Sequence, residues 1–265
     1  MAGAHTPITG PRPPLVDPPI VAQGLTVVFG GRAVLKNITF EVRKGETLAV
    51  MGLSGVGKST LLRCLIGLEK PTSGHIAMNG RDIADLRPRE WDELRMRVGM
   101  VFQMPALFDS LTVGENVAFG LREHTRLREE EIVRVVSEKL AIVDLEGVEH
   151  LYPNQLSGGM QKRASLARTI ATDPDILLYD EPTTGLDPII TTVISELIRD
   201  VQQRMSATSI VVTHDVRGAL MVAQKIAMLH EGQIVWIGSA LDFQSTDNPY
   251  VVQFRDGRVA GPIQV

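Results

Sequence analysis

The strongest constraint on the fold is the glycine-rich segment Gly52-Leu53-Ser54-Gly55-Val56-Gly57-Lys58-Ser59, which fits the pattern GxxxxGK[ST]. The segment follows the apolar run TLAVMG and precedes apolar residues that recur at helical spacing from Leu61 to Ile66. A strand, a tight loop and a helix N-terminus in this order surround a phosphate group with backbone N–H donors and the positive end of the helix dipole. The sequence therefore predicts a nucleotide phosphate site in an α/β fold.

Residue types within this loop match particular tasks. Glycines allow the backbone to wrap around phosphate oxygens, Lys58 supplies a mobile positive charge, and Ser59 offers its hydroxyl to Mg²⁺. We expect the nucleotide to contact the following loop residues: Gly52, Ser54, Gly55, Val56, Gly57, Lys58, Ser59 and Thr60.

A carboxylate pair follows a second predicted strand. The run from Asp175 to Tyr179 is typical of a buried strand, and strands of parallel sheets deliver polar residues at their carboxyl ends. Asp180 and Glu181 stand at that end. One carboxylate there can hold Mg²⁺ through its waters while the other takes a proton from an attacking water. A solvated acidic turn is the alternative interpretation.

Two more polar residues follow predicted strands. Gln103 follows VGMVF, and its amide can take part in metal coordination and bind the attacking water. His214 follows SIVVT, and its imidazole can form a hydrogen bond with a terminal phosphate. A histidine at a strand end is often structural, but the nearby phosphate loop and Glu181 favour a functional role. We predict catalytic roles for Glu181, His214 and Gln103, and Mg²⁺ ligation by Ser59, Gln103 and Asp180.

Composition narrows the class of protein. The chain of 265 residues is 44% hydrophobic and 22% charged, which is ordinary for a globular protein. Its net charge of -4 argues against a nucleic-acid partner. The single cysteine, Cys64, excludes an intramolecular disulfide, and no apolar run approaches the ~20 residues that span a bilayer. We expect a protein that is soluble by itself.

The order of predicted elements suggests three regions. Residues 1–20, which are rich in proline, are predicted to be a disordered tail, and residues 241–265 a C-terminal extension. Residues 21–240 are predicted to form one nucleotide-binding domain, with a helical subdomain inserted at about 105–171.

Two hairpins are also predicted. One joins β-rich runs at Gly30-Gly31, and the other turns at Glu231-Gly232 within KIAMLHEGQIVWIG. The predicted fold class is therefore α/β, with a P-loop NTPase (RecA-like) core, an antiparallel β subdomain and an inserted α-helical subdomain.

These motifs resemble those of ATP-binding-cassette (ABC) ATPases, in the family's order, from about Val21 to Gly238. The resemblance implies ATP and Mg²⁺ as cofactors and assigns a name to each motif. Lys58 and Ser59 belong to the Walker A motif, Gln103 to the Q-loop, and Leu156-Ser157-Gly158-Gly159 to the signature motif. The strand from Ile176 to Asp180 corresponds to Walker B, and Glu181 to the catalytic glutamate. Gly185-Leu186-Asp187 corresponds to the D-loop, and His214 to the switch histidine. Phe29 stands where the family places an aromatic ring on adenine; a core aromatic in a hairpin is the alternative.

The resemblance implies a homodimer, because in this family the signature faces the ATP held by a second subunit. Ser157, Gly158, Gly159 and Asp187 are then expected to contact ATP in trans, the glycines through backbone N–H groups at a helix N-terminus. Hydrolysis would require a head-to-tail dimer with two ATP molecules between the subunits.

Residues beside the motifs resemble those of the Mla and mammalian-cell-entry (Mce) lipid transporters. The signature continues Met160-Gln161-Lys162-Arg163, with Met160 where the family more often has glutamine, and Walker B ends in Tyr179 before DEPTTGLDP. The tail NPYVVQFRDGRVAGPI is also similar to that subfamily. The resemblance implies an ATPase subunit that moves phospholipid or a related lipid between membranes.

Such a subunit would lie peripherally on the cytoplasmic face of the inner membrane. The resemblance implies two integral-membrane permease subunits, a lipid-binding Mce-type protein and, in some systems, a STAS-domain regulator. A groove near Met104 to Val117, lined by Ala106, Leu107 and Phe108, is expected to receive a coupling helix of the permease.

Three other functions are alternatives to lipid transport. Another ABC importer or exporter, for a small solute, is the main alternative. A soluble ABC protein of DNA repair or translation would carry a long coiled coil or a second cassette, and the sequence has neither. Assignment as a P-loop kinase or GTPase would not account for the signature motif, and the sequence contains no Asn-Lys-x-Asp motif for guanine binding.

Overall fold

The structure is a computed structural model that describes residues 13–264; residues 1–12, with the first part of the predicted tail, and residue 265 lie outside the described residues. The strands are β1 Ile20–Phe29, β2 Arg32–Val42, β3 Thr47–Met51, β4 Ser73–Met78, β5 Arg81–Asp82, β6 Val98–Val101, β7 Ile176–Asp180, β8 Thr208–Thr213, β9 Lys225–His230 and β10 Gln233–Ser239. The α-helices are α1 Lys58–Leu65, α2 Pro88–Arg95, α3 Val113–His124, α4 Glu129–Ile142, α5 Gly158–Ile170, α6 Pro188–Met205, α7 Val216–Val222, α8 Ala240–Ser245 and α9 Pro249–Asp256.

A six-stranded sheet in the order β10-β9-β3-β8-β7-β6 forms the centre of the fold. Its strands are parallel except for β10, which pairs antiparallel with β9. All residues of β3, β7 and β8 are buried, because apolar cores cover both faces. Along β3, Leu48 and Val50 enter one core while Ala49 and Met51 enter the other. Polar side chains that can reach a ligand therefore stand at the ends of these strands, as Asp180 does at the end of β7.

Strand register brings those ends together. Met51 of β3 pairs with Thr213 of β8, and Val212 pairs with Asp180 of β7. Val101, the last residue of β6, pairs with Tyr179. The segments that follow these strands consequently leave the sheet at one edge, where doubly wound α/β proteins bind ligands.

The two predicted hairpins are present. β1 and β2 pair antiparallel within a four-stranded sheet of order β2-β1-β4-β5, and β9 and β10 pair across the turn at Glu231-Gly232. Gly232 has φ +79, and a Cβ there would lie 2.4 Å from Val34 O. Its own carbonyl accepts from Lys36 N at 2.7 Å. The second hairpin is thus seated directly on β2.

Helices α3, α4 and α5 pack together as the helical block within the predicted insertion. Residues 105–112 have no helical structure. Helix α3 begins after Thr112, which caps it by accepting from Glu115 N at 3.2 Å. Buried Asn116 ties this loop to α3: its amide oxygen accepts from Phe108 N at 2.8 Å and its amide nitrogen donates to Phe108 O at 3.1 Å. The loop before α3 is therefore held against the helix that follows it.

Both ends of the described chain lie against the domain. Val16 N donates to Asn79 Oδ1 at 2.6 Å, and Lys44 N donates to Asp17 Oδ1 at 2.8 Å. In the predicted C-terminal extension, Ile263 is buried and exchanges two hydrogen bonds with the side chain of Gln253. The division into tail, domain and extension stays a prediction. Within residues 13–264, no helix is both long and apolar enough to cross a bilayer.

Candidate nucleotide site

A cavity of about 260 Å³ lies where the ends of β3, β6, β7 and β8 meet. Most of its lining comes from the glycine-rich loop and from residues predicted to act in catalysis. The lining residues are Val34, Ser54, Gly55, Gly57, Lys58, Ser59, Thr60, Gln103, Glu181, Thr184 and His214. The structure therefore brings Gln103, Glu181 and His214 to the phosphate loop from three separate parts of the chain.

The loop depends on glycine at its junction with α1. Gly57 precedes the first residue of α1 and has φ +111. A Cβ there would lie 2.8 Å from Leu35 Cδ2 and 3.0 Å from Val34 O, so the β subdomain packs too closely for any side chain. The helix predicted to follow the glycine-rich loop is present and begins at Lys58. Backbone N–H groups at this helix N-terminus form a surface suited to phosphate oxygens.

Lys58 is held in place by oxygen atoms on three sides. Its side chain is 5% exposed, and its ammonium donates to Gly52 O at 2.8 Å and Leu53 O at 3.0 Å. Glu181 Oε1 lies 3.1 Å from the same nitrogen. A buried cation with this set of partners is preorganised to meet an anion in the cavity.

Glu181 connects the phosphate loop to β8. Its φ of +47 is in the left-handed region, which costs about 1–2 kcal/mol for a residue with a Cβ. The backbone is held there because Glu181 N donates to Val212 O at 2.9 Å. The buried carboxylate accepts from Thr184 Oγ1 at 3.3 Å through Oε2. Such a strained, buried carboxylate is typical of a functional position.

His214 shares the carboxylate of Glu181. Its Nδ1 lies 2.8 Å from Glu181 Oε2, and its backbone N–H donates to the same oxygen at 3.4 Å. About half of the His214 side chain is exposed. Glu181 thus stands between Lys58 and His214, with one carboxylate oxygen directed at each of them.

Asp180 and Ser59 are joined by a hydrogen bond of 2.8 Å from Ser59 Oγ to Asp180 Oδ1. Burial raises the pKa of Asp180, the hydrogen bond from Ser59 partly opposes this, and the charge of Glu181 adds to the increase. A hydroxyl, a carboxylate and the nearby Gln103 amide are the oxygen donors that Mg²⁺ prefers. The donor set therefore fits the predicted magnesium ion.

Gln103 reaches the cavity from the loop after β6. The residue is exposed, and its backbone carbonyl accepts a hydrogen bond from the buried ammonium of Lys162 on α5. Gln103 and Asp180 are brought to one edge of the sheet by the pairing of β6 with β7. The pairing of two strands that are distant in the sequence therefore brings these proposed Mg²⁺ ligands together.

Six predicted ATP-contacting residues of the loop line the cavity directly: Ser54, Gly55, Gly57, Lys58, Ser59 and Thr60. Gly52 takes part through its carbonyl, which accepts from Lys58, and Val56 lies within the same loop. The roles assigned to these side chains stay predictions, as do the roles of Glu181, His214 and Gln103.

Another predicted group does not lie at this cavity. Phe29 is 44% exposed at the end of β1. Ser157 caps α5 by accepting from Met160 N at 3.3 Å, and Asp187 caps α6 by accepting from Ile189 N and Ile190 N, both at 3.0 Å. The exposed glycine Gly158 follows Ser157, and a Cβ on its half-buried neighbour Gly159 would lie 3.0 Å from Ile190 Cγ2. The signature residues and Asp187 thus share another part of the surface.

Two lining residues were missed from the sequence, Val34 and Thr184. Thr184 could have been found, since it lies three residues after Glu181 in a turn and its backbone N–H donates to Glu181 O at 3.2 Å. No sequence pattern points to Val34 as a lining residue, because it reaches the cavity only through the packing of β2 against Gly57.

Comparisons with known proteins show the family to which the chain belongs. A family model described as "ABC transporter" matches residues 35–184. A probable ribonucleotide transport ATP-binding protein, mkl, of Mycobacterium leprae is 43% identical over 92% of this chain and 70% of its own length. The intermembrane phospholipid transport system ATP-binding protein MlaF of Haemophilus influenzae is 42% identical over 92% of this chain and 93% of its own length.

A solved structure shares both the fold and the sequence. It is a dimeric post-hydrolysis state of an ATP-binding cassette bound to ADP and Pi, with a TM-score of 0.76 and 33% identity over 83% of this chain and 98% of that one. The predicted α/β P-loop NTPase fold is confirmed. The chain belongs to the ABC transporter family and is an ATP-binding, ATP-hydrolysing subunit of such a transporter.

Proposed function

We propose that this chain hydrolyses ATP for an ABC transporter that moves phospholipid, or a related lipid, between membranes. The observation that carries the proposal is the 42% identity to the intermembrane phospholipid transport protein of Haemophilus influenzae, which extends over 93% of that protein. A match of this length includes the helical block as well as the nucleotide core. It therefore reaches beyond the motifs that all ABC ATPases share.

In the proposed reaction the glycine-rich loop and Lys58 bind the phosphates, and the carboxylate of Glu181 takes a proton from the attacking water. The water oxygen forms a bond to the terminal phosphorus as the bond to ADP breaks. His214 holds the Glu181 carboxylate in position, since Nδ1 lies 2.8 Å from Oε2. Ser59, Gln103 and Asp180 would hold Mg²⁺, which supplies positive charge to the phosphate oxygens when bound.

The remaining predicted contacts are proposed to act across a homodimer. Ser157, Gly158 and Gly159 begin α5 on the surface, where backbone N–H groups of a helix N-terminus can bind the phosphates of a partner's ATP. Asp187 is proposed to act in trans on the same basis, whereas Phe29 is proposed to contact the adenine of the ATP held by its own subunit. The dimeric ADP-bound cassette, which has the same fold, supports this arrangement.

Two permease subunits are proposed to bind the chain from the cytoplasmic face of the inner membrane. A cavity of about 780 Å³ next to the helical block is lined by Phe102, Ala106 and Phe119, among other residues. Of the residues expected in the groove, Ala106 lines this cavity, whereas Leu107 packs against the core and Phe108 lies beside the cavity, with its ring centroid 4.9 Å from that of Phe119. This groove would receive the coupling helix. A lipid-binding Mce-type protein and a STAS-domain regulator complete the proposed assembly.

A second candidate function comes from the mycobacterial relative, whose name gives ribonucleotide transport. Other small-solute transporters belong to the same alternative. We would purify the detergent-extracted complex through a tag on this chain and identify bound lipids by native mass spectrometry. The ATPase rate would then be measured in nanodiscs with phospholipid or with added ribonucleotides.

Under the proposal, permease subunits and phospholipid co-purify, and added ribonucleotides do not stimulate the ATPase rate. Glu181→Gln is the matched control, because it keeps the complex but removes the predicted base. Stimulation by ribonucleotide without bound lipid would overturn the proposed substrate while leaving the ATPase assignment intact.

A further inference from the structure

Helix α5 holds the loop after β6 through main-chain carbonyl groups. Lys162 donates to the carbonyl of Gln103, Arg168 donates to the carbonyl of Ala106, and Thr169 Oγ1 lies 3.3 Å from Met100 O. Lys162 and Arg168 thus bind two carbonyls of this loop, whereas Thr169 lies beside β6 and donates at 2.9 Å to Ser165 O within its own helix. This loop begins at the nucleotide cavity, which Gln103 lines, and continues to the cavity lined by Phe102, Ala106 and Phe119.

Lys162 differs from the other two side chains because it is deeply buried. The residue is 7% exposed, and burial lowers the pKa of its ammonium while the charge of Asp180 partly opposes that change. Its stem borders a small apolar cavity lined by Val101, Leu166 and Tyr179. A charge placed there must be paired or hydrogen-bonded, and the Gln103 carbonyl meets that need.

The carbonyl that Lys162 binds belongs to a residue whose side chain lines the nucleotide cavity. Gln103 is exposed, so burial in the core does not hold it in place. The same helix begins at Ser157, where the signature residues lie. A movement of α5 would therefore carry Gln103 with it through Lys162.

We propose that Lys162 is a positioning residue for ATP hydrolysis, which acts by binding the main-chain carbonyl of Gln103 and thereby keeps the Gln103 amide in the nucleotide cavity. The inference rests on the proposed role of Gln103 as a ligand of Mg²⁺. Lys162 acts through Gln103 and touches neither nucleotide nor metal. Its ammonium couples the signature helix of one half site to the metal ligand of the other.

The test compares three variants of the full-length chain. Lys162→Met removes the ammonium but keeps an unbranched stem against the apolar cavity, and Lys162→Arg keeps the charge. Arg163→Met is the matched control, because Arg163 is the next residue of α5 and donates instead to Asp144 O at 3.1 Å, within the helical block. If Lys162→Met does not fold, Lys162→Gln replaces it.

Hydrogen–deuterium exchange of residues 102–107 in nucleotide-free protein is the first measurement. We expect exchange to become about tenfold faster in Lys162→Met, with little change in Lys162→Arg or Arg163→Met, since one charge-assisted hydrogen bond is lost. Exchange in β3 reports global unfolding and should not change. Unaltered exchange at residues 102–107 in Lys162→Met would overturn the inference.

The second measurement is the Mg²⁺ concentration that gives half-maximal ATPase rate. We expect it to rise about tenfold in Lys162→Met and in Gln103→Ala, and to rise no further in the double variant, because both changes remove one interaction. If Gln103→Ala alone leaves this concentration unchanged, the proposed role of Gln103 is wrong. If Gln103→Ala raises it and Lys162→Met does not, the proposed function stands and the Lys162 inference fails.

Discussion

The carboxylate of Glu181 lies 3.1 Å from the ammonium of Lys58, so the predicted general base and the predicted phosphate-binding cation form a buried ion pair. Nucleotide binding would give Lys58 a second anionic partner. The remaining oxygen of Glu181 stays on His214, 2.8 Å away. This relationship makes Glu181 the most direct test of the site.

Replacement of Glu181 by glutamine should lower the ATPase rate by ~10²-fold or more, because the amide cannot take a proton from water. ATP binding and nucleotide-dependent dimer formation should persist, since the loop and Lys58 are unchanged. Single-turnover kinetics and size-exclusion chromatography with ATP would measure the two effects. A nearly normal rate would show that Glu181 is not the base.

Replacement of Gly232 by alanine should lower the free energy of unfolding more than replacement of Gly31 by alanine. Both glycines have φ +79, so both changes carry the ~1 kcal/mol strain of a left-handed residue. A Cβ at Gly232 would also lie 2.4 Å from Val34 O, whereas nothing lies within 4 Å at Gly31. We expect an additional loss of about 1–3 kcal/mol at Gly232 in urea unfolding. Equal losses of unfolding free energy in the two variants would contradict the close packing of the β9–β10 turn against β2.

Replacement of Asp180 by asparagine should stabilise the nucleotide-free protein at neutral pH. The pKa of Asp180 is raised by burial, so the folded protein binds its proton more tightly than the unfolded chain does. Stability from this group is therefore complete below the ordinary aspartate pKa and is lost as the pH rises through the raised value. Asparagine keeps an acceptor for Ser59 without the buried charge.

Thermal unfolding from acidic to neutral pH would test this prediction. The melting temperature of Asp180→Asn should exceed that of the unaltered protein at neutral pH, and the difference should shrink in acid. Stabilisation by Mg²⁺ with ATP should be smaller in the variant, because a proposed metal ligand is gone. A variant that is less stable at neutral pH would show that burial does not dominate the energetics of Asp180.

Replacement of Phe108 by aspartate should uncouple ATP hydrolysis from lipid transport in the assembled complex. The ring of Phe108 is partly exposed, and the guanidinium carbon of Arg168 lies 4.6 Å from its centroid, so an anion there would alter the groove without opening the core. Transport between labelled vesicles should fall by about tenfold while the basal ATPase rate of the isolated chain persists. Val133→Asp, at an exposed position on α4, is the control. Unchanged coupling in Phe108→Asp would exclude this groove as the permease contact.

Local pattern was sufficient to predict the phosphate loop, the strands that flank it and both hairpins. Strands β3, β7 and β8 are buried on both faces, so their continuous apolar runs were enough to predict them as buried strands. The sequence predicts a C-terminal extension without assigning helices to it, whereas the structure has α8 and α9 there. Phe243 of α8, Val251 of α9 and the later residue Ile263 are buried in the core, so tertiary packing holds this segment in place.

The sequence by itself determined the chemistry at each strand end, since residue type and spacing specify a phosphate loop, a carboxylate pair and a histidine independently of one another. The tertiary structure decided how these groups meet. Parallel register places Glu181 between Lys58 and His214, and the left-handed backbone of Glu181 directs its carboxylate there. The bond from Lys162 to the Gln103 carbonyl joins residues that are far apart in the chain. Such contacts depend on long-range packing, which no local pattern encodes.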